Sequence, residues 1–297
     1  MISLQEAGEL IDHSVTPLSS LMTPISDGVH CKLIDDLYSP INVPGFASSA
    51  MDGIAILYDD LIGVGPWRLK IQDTVAAGDA PTTLLRKECC VKIMTGAPLP
   101  NNADTIIPVE KLTFHDKVVE ITDRPKLGTF VRPVGDSLKE NDLIFQRGYR
   151  LKPVDIGVLA SIGLERIHVI PKPSIAVIST GSEIISPGSP LGPGQIYNSN
   201  DTTLSALLIN AGFRSVSILP PTTDDVETLR RRFDEALTSH HVLITTGGVS
   251  MGDFDFIPHV VKELGGEIVF HKVRIKPGKP ILLAKFDRNG QRWLIGL

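Results

Sequence analysis

The stretch VLITTGGVSMGDFD, at Val242–Asp255, indicates how this chain folds. Its apolar beginning has the composition of a buried strand, and that pattern stops at Gly247 and Gly248. Glycine lacks a Cβ atom, so the backbone can turn sharply there and bring its N–H groups close to another group. Acidic residues and a second apolar segment follow, so the stretch predicts a strand, a tight turn and a helix. Shorter versions of the same pattern occur at Ile93–Ala97 (IMTGA) and at Ile178–Ser182 (ISTGS).

The order of strand and helix repeats from Ser174 to the last residue. Alternation of this kind predicts a largely parallel sheet covered by helices, which is an α/β domain. The predicted strands are SIAVIST (174–180), SVSIL (215–219), VLITT (242–246), EIVFHKV (267–273), ILLAKF (281–286) and RWLIGL (292–297).

Two helices of this region have a recognisable pattern. One helix is predicted from about Asp224, where Glu227 follows three residues later as in a capping box. The helix before it is predicted to bury a stripe of residues at helical spacing, namely Leu204, Leu207, Leu208 and Ala211.

The first half of the chain reads differently. Ser3 begins a short amphipathic helix that runs to about Val15, with Ser3 as its cap. The segment that follows has short alternating apolar runs broken by Gly, Pro, Asn and Asp, which is typical of a small β-rich domain. A proline-flanked segment, HVIPKPSIAVIST, marks a domain boundary. We therefore expect an N-terminal helix and connecting region at 1–40, a β-rich second domain at 41–140, a connecting region at 141–172 and the α/β domain at 173–297.

Composition narrows the function classes. A chain of 297 residues exceeds one ordinary core, so we expect more than one domain. A formal net charge of −5 gives no overall drive towards nucleic acid or a membrane surface. The N-terminus has no secretory pattern and no stretch is long enough to span a membrane, so we expect a cytoplasmic protein. The three cysteines form no C-x-x-C pair and are read as buried thiols: Cys31, Cys89 and Cys90.

Several loops of the α/β domain are predicted to share one edge of its sheet. Ligands bind outside the carboxyl ends of parallel strands, because loop amides and helix N-termini collect there. Glycine N–H groups at that edge suit an anionic group, and carboxylates suit a hard cation such as Mg²⁺ that bridges to phosphate oxygens. Lysines beside a proline-glycine turn suit an oxyanion. The loops are Thr180–Glu183, Pro220–Asp225, the loop after Thr246 and Arg274–Pro280.

Each of these signals has another interpretation that stays open. Gly247 and Gly248 also fit a tight strand-to-helix turn, and Asp255 also fits the cap of the next helix. A loop glutamate such as Glu183 is usually solvated, and lone loop lysines are usually surface residues. The functional interpretation depends on glycines, acids and lysines meeting at one edge.

The chain closely resembles a known family. In order it carries SSAMDG, KIMTGAPLP followed by ADTIIPVE, FVRPVGD, STGSEI, GQIYNSN, TTGGVSMGDFD and IKPGKP. These motifs are similar to those of the molybdopterin molybdenumtransferases, the MoeA family, which is related to the E domain of gephyrin. The resemblance implies a multidomain homodimer with a β-rich domain and a three-layer α/β domain. It also implies Mg²⁺-dependent insertion of molybdate into adenylylated molybdopterin with release of AMP, and a molybdopterin adenylyltransferase as a partner.

The resemblance carries over to particular residues. It implies catalytic roles for Asp52 in MDG, Thr95 in MTGAP, Glu183 after STG and Asp255 ahead of the third helix. Glu183 and Asp255 are also the implied metal ligands. The implied substrate-binding residues, with the register of Asp224 left open by the neighbouring Asp225, are Asp136, Asp224, Lys276 and Lys279. On physical grounds Gly247, Gly248 and Ser250 would cradle the phosphate of the pterin.

The chain also departs from the family pattern. Ser182 stands where the family usually has aspartate, and Ile54 replaces a common tyrosine. The family continues beyond GL into a PGNPVS loop and a small C-terminal domain, whereas this sequence ends at Leu297. We therefore expect the α/β domain to be incomplete at its C-terminal end, in a fragment of a longer protein or in a shortened one. The transferase is still the expected function, and ligand binding without turnover is the alternative for a chain of this length.

Two alternative functions remain. One is a molybdopterin adenylyltransferase, which uses the same α/β domain, although MDG and MTGAP in a preceding domain argue against it. The other is a non-catalytic dimeric scaffold or molybdopterin-binding protein, which the intact Asp52, Glu183 and Asp255 disfavour.

Overall fold

The computed structural model describes residues 1–80, 84–248 and 256–297, which form two compact units. The first unit comprises Met1–Ile34, Arg150–Ile156 and Arg166–Leu297, and the second comprises Asp35–Tyr149 and Gly157–Glu165. The α-helices in these residues are α1 (Leu4–Ser14), α2 (Pro153–Ser161), α3 (Asn200–Asn210), α4 (Val226–Ser239) and α5 (Ile257–Glu263).

The strands are numbered in chain order. They are β1 (Leu21–Pro24), β2 (Lys32–Leu33), β3 (Leu37–Tyr38), β4 (Ser48–Ser49), β5 (Gly53–Ile56), β6 (Trp67–Val75), β7 (Cys89–Ile93), β8 (Thr105–Pro108), β9 (Leu112–His115), β10 (Val118–Ile121), β11 (Val131–Arg132), β12 (Leu143–Phe145), β13 (Arg166–Ile170), β14 (Ile175–Ser179), β15 (Ile184–Ile185), β16 (Ile196–Tyr197), β17 (Val216–Ile218), β18 (Val242–Thr246), β19 (Glu267–His271), β20 (Leu282–Asp287) and β21 (Gln291–Gly296).

The second unit is built on a six-stranded sheet. Its strand order is β8-β5-β7-β6-β10-β9, and only the β6–β7 pair is parallel among the described strands. Both faces of β5 are buried, because Ile54 and Ile56 pack into one hydrophobic cluster and Ala55 into another. The predicted β-rich domain is thereby confirmed.

The first unit contains the α/β sheet. Its strand order is β17-β14-β18-β21-β20-β19, with parallel pairing of β14 to β17, β14 to β18 and β18 to β21. The pairs β20–β21 and β19–β20 are antiparallel, so the sheet is mixed rather than largely parallel. The reason is the short turn at 288–290, because a connection of that length can only join antiparallel strands.

Helices cover both faces of this sheet. On one face α4 and α5 bury Phe233, Val260 and Val261 against alternate residues of β14, β18 and β20. On the other face Leu204 and Leu208 of α3 contact Val177 and Ile244. Ala7 of α1 packs farther along, in a cluster with Phe270, Leu283 and Trp293. The arrangement is the three-layer α/β domain that the resemblance implies.

The predicted start of α1 is confirmed. Ser3 is the N-cap and its hydroxyl accepts the Glu6 N–H at 3.1 Å, while the Glu6 carboxylate accepts the Ser3 N–H at 2.6 Å. This is a reciprocal capping box, which satisfies two amide groups that the helix leaves unpaired. None of the helices in the described ranges is long and apolar enough to cross a membrane.

Two predicted details of the later helices are wrong. In α4 the cap is Asp225, whose side chain accepts the Thr228 N–H, so Glu227 is one residue too early for a capping box and pairs with Arg230 instead. In α3 the predicted stripe is only partly buried, since Leu207 is 60% exposed. The helix is rotated because it buries polar residues against the sheet, as described below.

Candidate functional site

The carboxyl ends of three neighbouring strands, β17, β14 and β18, are tied together by backbone hydrogen bonds. The Thr180 N–H donates to the Thr246 carbonyl at 2.9 Å, and the Gly181 N–H donates to the Thr222 carbonyl at 3.0 Å. The loops that follow the three strands therefore start side by side, as the sheet-edge hypothesis expects.

Glu183 and Asp224 lie close together at this edge. A Cβ atom on Gly181, which has φ of 138°, would lie 2.6 Å from Glu183 Oε2, so the carboxylate rests against a backbone that has no side chain. Burial raises the pKa of Asp224, the nearby Thr180 hydroxyl partly offsets the rise, and the charge of Glu183 adds to it. Two carboxylates thus share one region beside Thr180, and in the described residues neither forms an ion pair.

The neighbouring acid Asp225 has a different task. Its carboxylate accepts hydrogen bonds from the Thr223 hydroxyl at 2.6 Å and from the Thr228 N–H at 2.8 Å, as the cap of α4. These bonds lower the pKa of Asp225, with the Thr223 bond contributing most. Because Asp225 is used by the helix, Asp224 is the acid that the structure leaves to the sheet edge.

Gly247 and Gly248 contact the Thr180 turn. A Cβ atom on Gly247 would lie 2.8 Å from the Thr180 carbonyl oxygen, and one on Gly248 would lie 3.0 Å from Thr180 Oγ1. The Gly247 N–H donates to the Leu297 carbonyl at 3.2 Å and is therefore already in use. Within the described ranges the Gly248 N–H, unlike that of Gly247, has no hydrogen-bond partner. Their tight approach to β14 explains why the sequence has no side chains there.

Sequence reasoning missed a buried polar cluster below this edge, which we call the Asp201 cluster. The Asp201 carboxylate is buried and accepts hydrogen bonds from the Ser179 hydroxyl at 2.7 Å, the Asn198 amide at 2.8 Å and the Thr246 hydroxyl at 3.2 Å. Asp201 lies in the first turn of α3, where the helix dipole favours a negative charge. The available signal was the polar ends of β14 and β18, Ser179 and Thr246, together with the polar NSN segment before the helix.

Two cavities open at the same edge. One has a volume of about 270 Å³ and is lined by Thr180, Glu183, Asn198 and Gly247 among others. The other, of about 310 Å³, is lined by Asn200, Thr246, Gly247 and Leu297 among others. Both include Gly247 and Thr246, so the Asp201 cluster supports the floor of the candidate site.

The second unit brings together three other predicted residues. Asp52 Oδ1 accepts the Thr95 N–H at 2.6 Å and the Thr95 hydroxyl at 2.9 Å, and these bonds lower the pKa of Asp52. Asp136 pairs with Arg132 at 3.1 Å, on the segment that pairs through β11 with β4. β4 also bonds to the loop of Thr95, through Gly96 N–H and the Ser49 carbonyl at 2.8 Å. The motifs SSAMDG, MTGAP and FVRPVGD therefore meet around one short strand.

Lys276 and Lys279 lie in the loop after β19 and are exposed. β19 runs in the same direction as β14 and β18, so the loop leaves at the carboxyl edge. Three strand positions separate β19 from β18, which corresponds to about 14 Å because neighbouring strands lie about 4.8 Å apart. The lysines therefore share the edge but do not adjoin Glu183 along the sheet.

Two predicted residues, Ser250 and Asp255, lie outside the described residues. Within the described ranges no group of three or more His, Cys, Asp or Glu side chains is arranged to hold a metal ion. Among the residues that the structure describes, the pair Glu183 and Asp224 has no cationic partner, and free carboxylate oxygens are what Mg²⁺ prefers. The chemistry of this donor set fits Mg²⁺.

The raised pKa of Asp224 leads to a prediction about stability. A carboxyl group whose folded pKa is raised favours folding while it is protonated, and that contribution is lost as pH rises through the folded pKa. We therefore expect Asp224→Asn to raise the melting temperature at neutral pH, by about 1–3 °C. The difference from the original protein should vanish in acid, below the unfolded pKa. Thermal unfolding followed between about pH 3 and pH 8 measures this, and an equal gain at every pH would contradict it.

Comparison with known proteins assigns both units of the chain to the family that its motifs resemble. Residues 2–163 match the family described as MoeA N-terminal region (domain I and II), and residues 176–297 match the probable molybdopterin binding domain. A molybdopterin molybdenumtransferase of Haemophilus influenzae is 31% identical over 301 residues, covering 100% of this chain and 72% of that protein. The molybdenum cofactor synthesis protein cinnamon of Drosophila melanogaster is 36% identical over 292 residues, covering 96% of this chain and 46% of that protein.

A solved structure agrees with these sequence matches. The molybdopterin biosynthesis MoeA protein from Pyrococcus horikoshii is similar with a TM-score of 0.76 and 31% identity, covering 100% of this chain and 74% of that chain. The resemblance inferred from the motifs is confirmed over both units. This chain belongs to the MoeA family of molybdopterin molybdenumtransferases, which act in molybdenum cofactor biosynthesis.

Proposed function

We propose that this protein inserts molybdate into adenylylated molybdopterin and releases AMP. The observation that carries the proposal is the pair of carboxylates, Glu183 and Asp224, beside the Thr180–Gly181 turn and a cavity of about 270 Å³. The names of the relatives, molybdopterin molybdenumtransferase, support molybdopterin as the substrate class and transfer as the reaction.

The residues of the chain have separate roles in this proposal. Gly248, with its backbone close to Thr180, gives the phosphate of the substrate access to the sheet edge. Lys276 and Lys279 supply positive charge on the same edge for molybdate or for the phosphoanhydride. Glu183 orients a reacting water or oxyanion. Release of AMP requires charge to be stabilised at the leaving phosphate, which depends on positioning and electrostatics and needs no covalent nucleophile.

Magnesium is part of the proposal. Glu183 and Asp224 would hold it, with Asp255 as the further ligand that the sequence indicates. When bound, the ion would neutralise phosphate charge as AMP leaves. The protein supplies the oxygen ligands and keeps them on a rigid edge, since the Asp201 cluster holds β14, β18 and α3 together beneath them.

The proposal extends to the assembly. The Asp52–Thr95 pair lies in the second unit, and we propose that in a homodimer it faces the α/β domain of the other subunit. A molybdopterin adenylyltransferase is the proposed supplier of the substrate, and the cytoplasm is the proposed location.

The direct test is an AMP-release assay. The purified protein is incubated with adenylylated molybdopterin and molybdate, with and without Mg²⁺, and AMP is quantified by chromatography. We expect AMP and metal-loaded molybdopterin only when Mg²⁺ is present. Binding of the adenylylated substrate without AMP would contradict the catalytic proposal and favour a non-catalytic scaffold, and absence of both would remove the substrate assignment.

A further inference from the structure

A further cavity lies in the first unit, away from the candidate site. Its volume is about 550 Å³, which is within the range of small-molecule pockets. The lining includes the first residues of β18 and the beginning of β21, Val242 and Trp293. The cavity therefore opens at the amino edge of the sheet, opposite the edge that carries Glu183.

One wall of the cavity is apolar. Phe213, Val242, Trp293 and Ile295 line it, and α1 adds Ile11. The segment after α1 is held in place by Gln291, whose side chain accepts the Thr16 N–H at 2.9 Å and donates to the Ser14 carbonyl at 3.2 Å. This wall offers a fixed surface for an aromatic or aliphatic group.

The rim of the cavity is cationic. Lys32, Arg150 and Lys172 all line it, and no Asp or Glu is among its described lining residues. Lys32 and Arg150 are exposed and form no ion pair in the part of the chain that the structure describes. Burial and then the nearby charge of Arg150 lower the pKa of Lys172, because the two cationic side chains repel each other. An anionic group placed here would relieve their mutual repulsion.

Lys172 is held in position by its neighbours. It lies between Pro171 and Pro173, donates to the Ala211 carbonyl at 2.9 Å and lies 4.4 Å from the centre of the Phe213 ring. A Cβ atom on Gly212, which has φ of 85°, would lie 2.9 Å from Lys172 Nζ. The site thus has a fixed ammonium group beside its aromatic wall.

A histidine adds a hydrogen-bond donor. His241 lines the cavity, and its Nδ1 accepts the Ser174 N–H at 3.2 Å. The neutral ring therefore carries its proton on Nε2, which has no hydrogen-bond partner among the described residues. Burial and then the charge of Arg292 lower the pKa of His241, so the ring favours its neutral form.

We propose that this cavity binds a small amphipathic anion, with its carboxylate or phosphate group held by Lys32, Arg150 and Lys172 and its apolar body against Phe213 and Trp293. The proposal depends on the cationic rim and the apolar wall occurring together, because each of them alone is a common feature of protein surfaces. The site is independent of the transferase proposal, since it uses the other edge of the sheet.

The test uses a fluorescent aromatic anion, anilinonaphthalene sulfonate, and its uncharged analogue phenylnaphthylamine. We expect saturable binding of the sulfonate to the folded protein with one site per chain, and much weaker binding of the uncharged analogue. The double variant Lys32→Ala/Arg150→Ala should weaken sulfonate binding about tenfold, roughly 1.4 kcal/mol, and leave binding of the uncharged analogue unchanged. Lys87→Ala, in the second unit, is the matched charge-removal control and should have no effect. Equal melting temperatures of all variants verify that they fold.

Competition identifies the natural head group. Displacement of the sulfonate by decanoate supports a carboxylate ligand, and displacement by naphthyl phosphate supports a phosphate ligand. The proposal is overturned if sulfonate binding is not saturable, if it survives the double variant unchanged, or if neither anion displaces it.

Discussion

Glu183→Gln is expected to reduce AMP release by about 10²–10³-fold, which is the usual effect of removing one preorganised electrostatic group from an active site. The substitution keeps the size of the side chain and removes only its charge. The side chain is exposed and rests against Gly181, so the glutamine can occupy the same space and the fold should be unaffected. The rate of AMP release under saturating substrate and Mg²⁺ measures the effect, and thermal unfolding verifies the fold.

The control for this prediction is Glu165→Gln, an exposed glutamate of the second unit that should release AMP at the original rate. A second comparison asks whether Glu183 and Asp224 act together. If both hold one ion, removing either removes the site, so the double variant Glu183→Gln/Asp224→Asn should be about as slow as the slower single variant. Effects that multiply would assign the two acids independent roles, and an unimpaired Glu183→Gln would exclude Glu183 from the chemistry.

Asp224 combines a role in function with a stability penalty. Its carboxylate is partly buried beside Glu183, and both the burial and the neighbouring charge oppose its ionisation. A protein selected only for stability would have a neutral side chain there. The expected gain in melting temperature of Asp224→Asn, together with its expected loss of AMP release, is the trade-off that active sites typically show.

The outline of the fold could be predicted from the sequence because its periodicities are strong. The repeat of strand and helix after Ser174, and the box that begins α1 at Ser3 and Glu6, are local patterns with direct physical causes. The mixed sheet was harder to foresee, since direction depends on the length of the connection between β20 and β21 and not on the composition of either strand.

The Asp201 cluster explains why the predicted buried face of α3 was wrong. Apolar spacing predicts that Leu207 is buried, but α3 turns Asp201 towards Ser179 and Thr246 instead. A buried carboxylate is stable only when hydrogen bonds replace its water, and those partners come from strands far away in sequence. Hydrophobic periodicity does not contain that information.

The pairing of Glu183 with Asp224 at the sheet edge could not be predicted from the sequence either. Asp224 and Asp225 are adjacent and chemically identical, so only the position of the helix start decides which one is a cap. By contrast, the resemblance had already given catalytic roles to both Asp52 and Thr95, and the structure brings their side chains within 2.9 Å.

Gly53→Ala, a change of one methyl group, is expected to destabilise the second unit strongly. A Cβ atom at this position would lie 2.0 Å from the Ile107 carbonyl oxygen and 3.0 Å from Pro108 Cα, so β5 and β8 would have to separate. Backbone atoms cannot move aside as the end of a flexible side chain can. We therefore expect a loss of about 3 kcal/mol in the free energy of unfolding, which is at the upper end of the usual range for overpacking. In a chain of this size that corresponds to a fall in melting temperature of about 6–12 °C.

The same substitution should impair the site. Gly53 directly follows Asp52, whose carbonyl accepts the Val109 N–H at 2.9 Å and whose carboxylate holds Thr95. Displacement of β8 therefore moves Asp52 away from Thr95. Gly157→Ala is the matched control, because Gly157 is an exposed position in α2 with no atom within 4 Å of its added Cβ. Alanine stabilises a helix relative to glycine, so this variant should gain up to about 1 kcal/mol. Urea unfolding of both variants measures the change in the free energy of unfolding. A Gly53→Ala protein as stable as the original would show that β5 and β8 do not pack this closely.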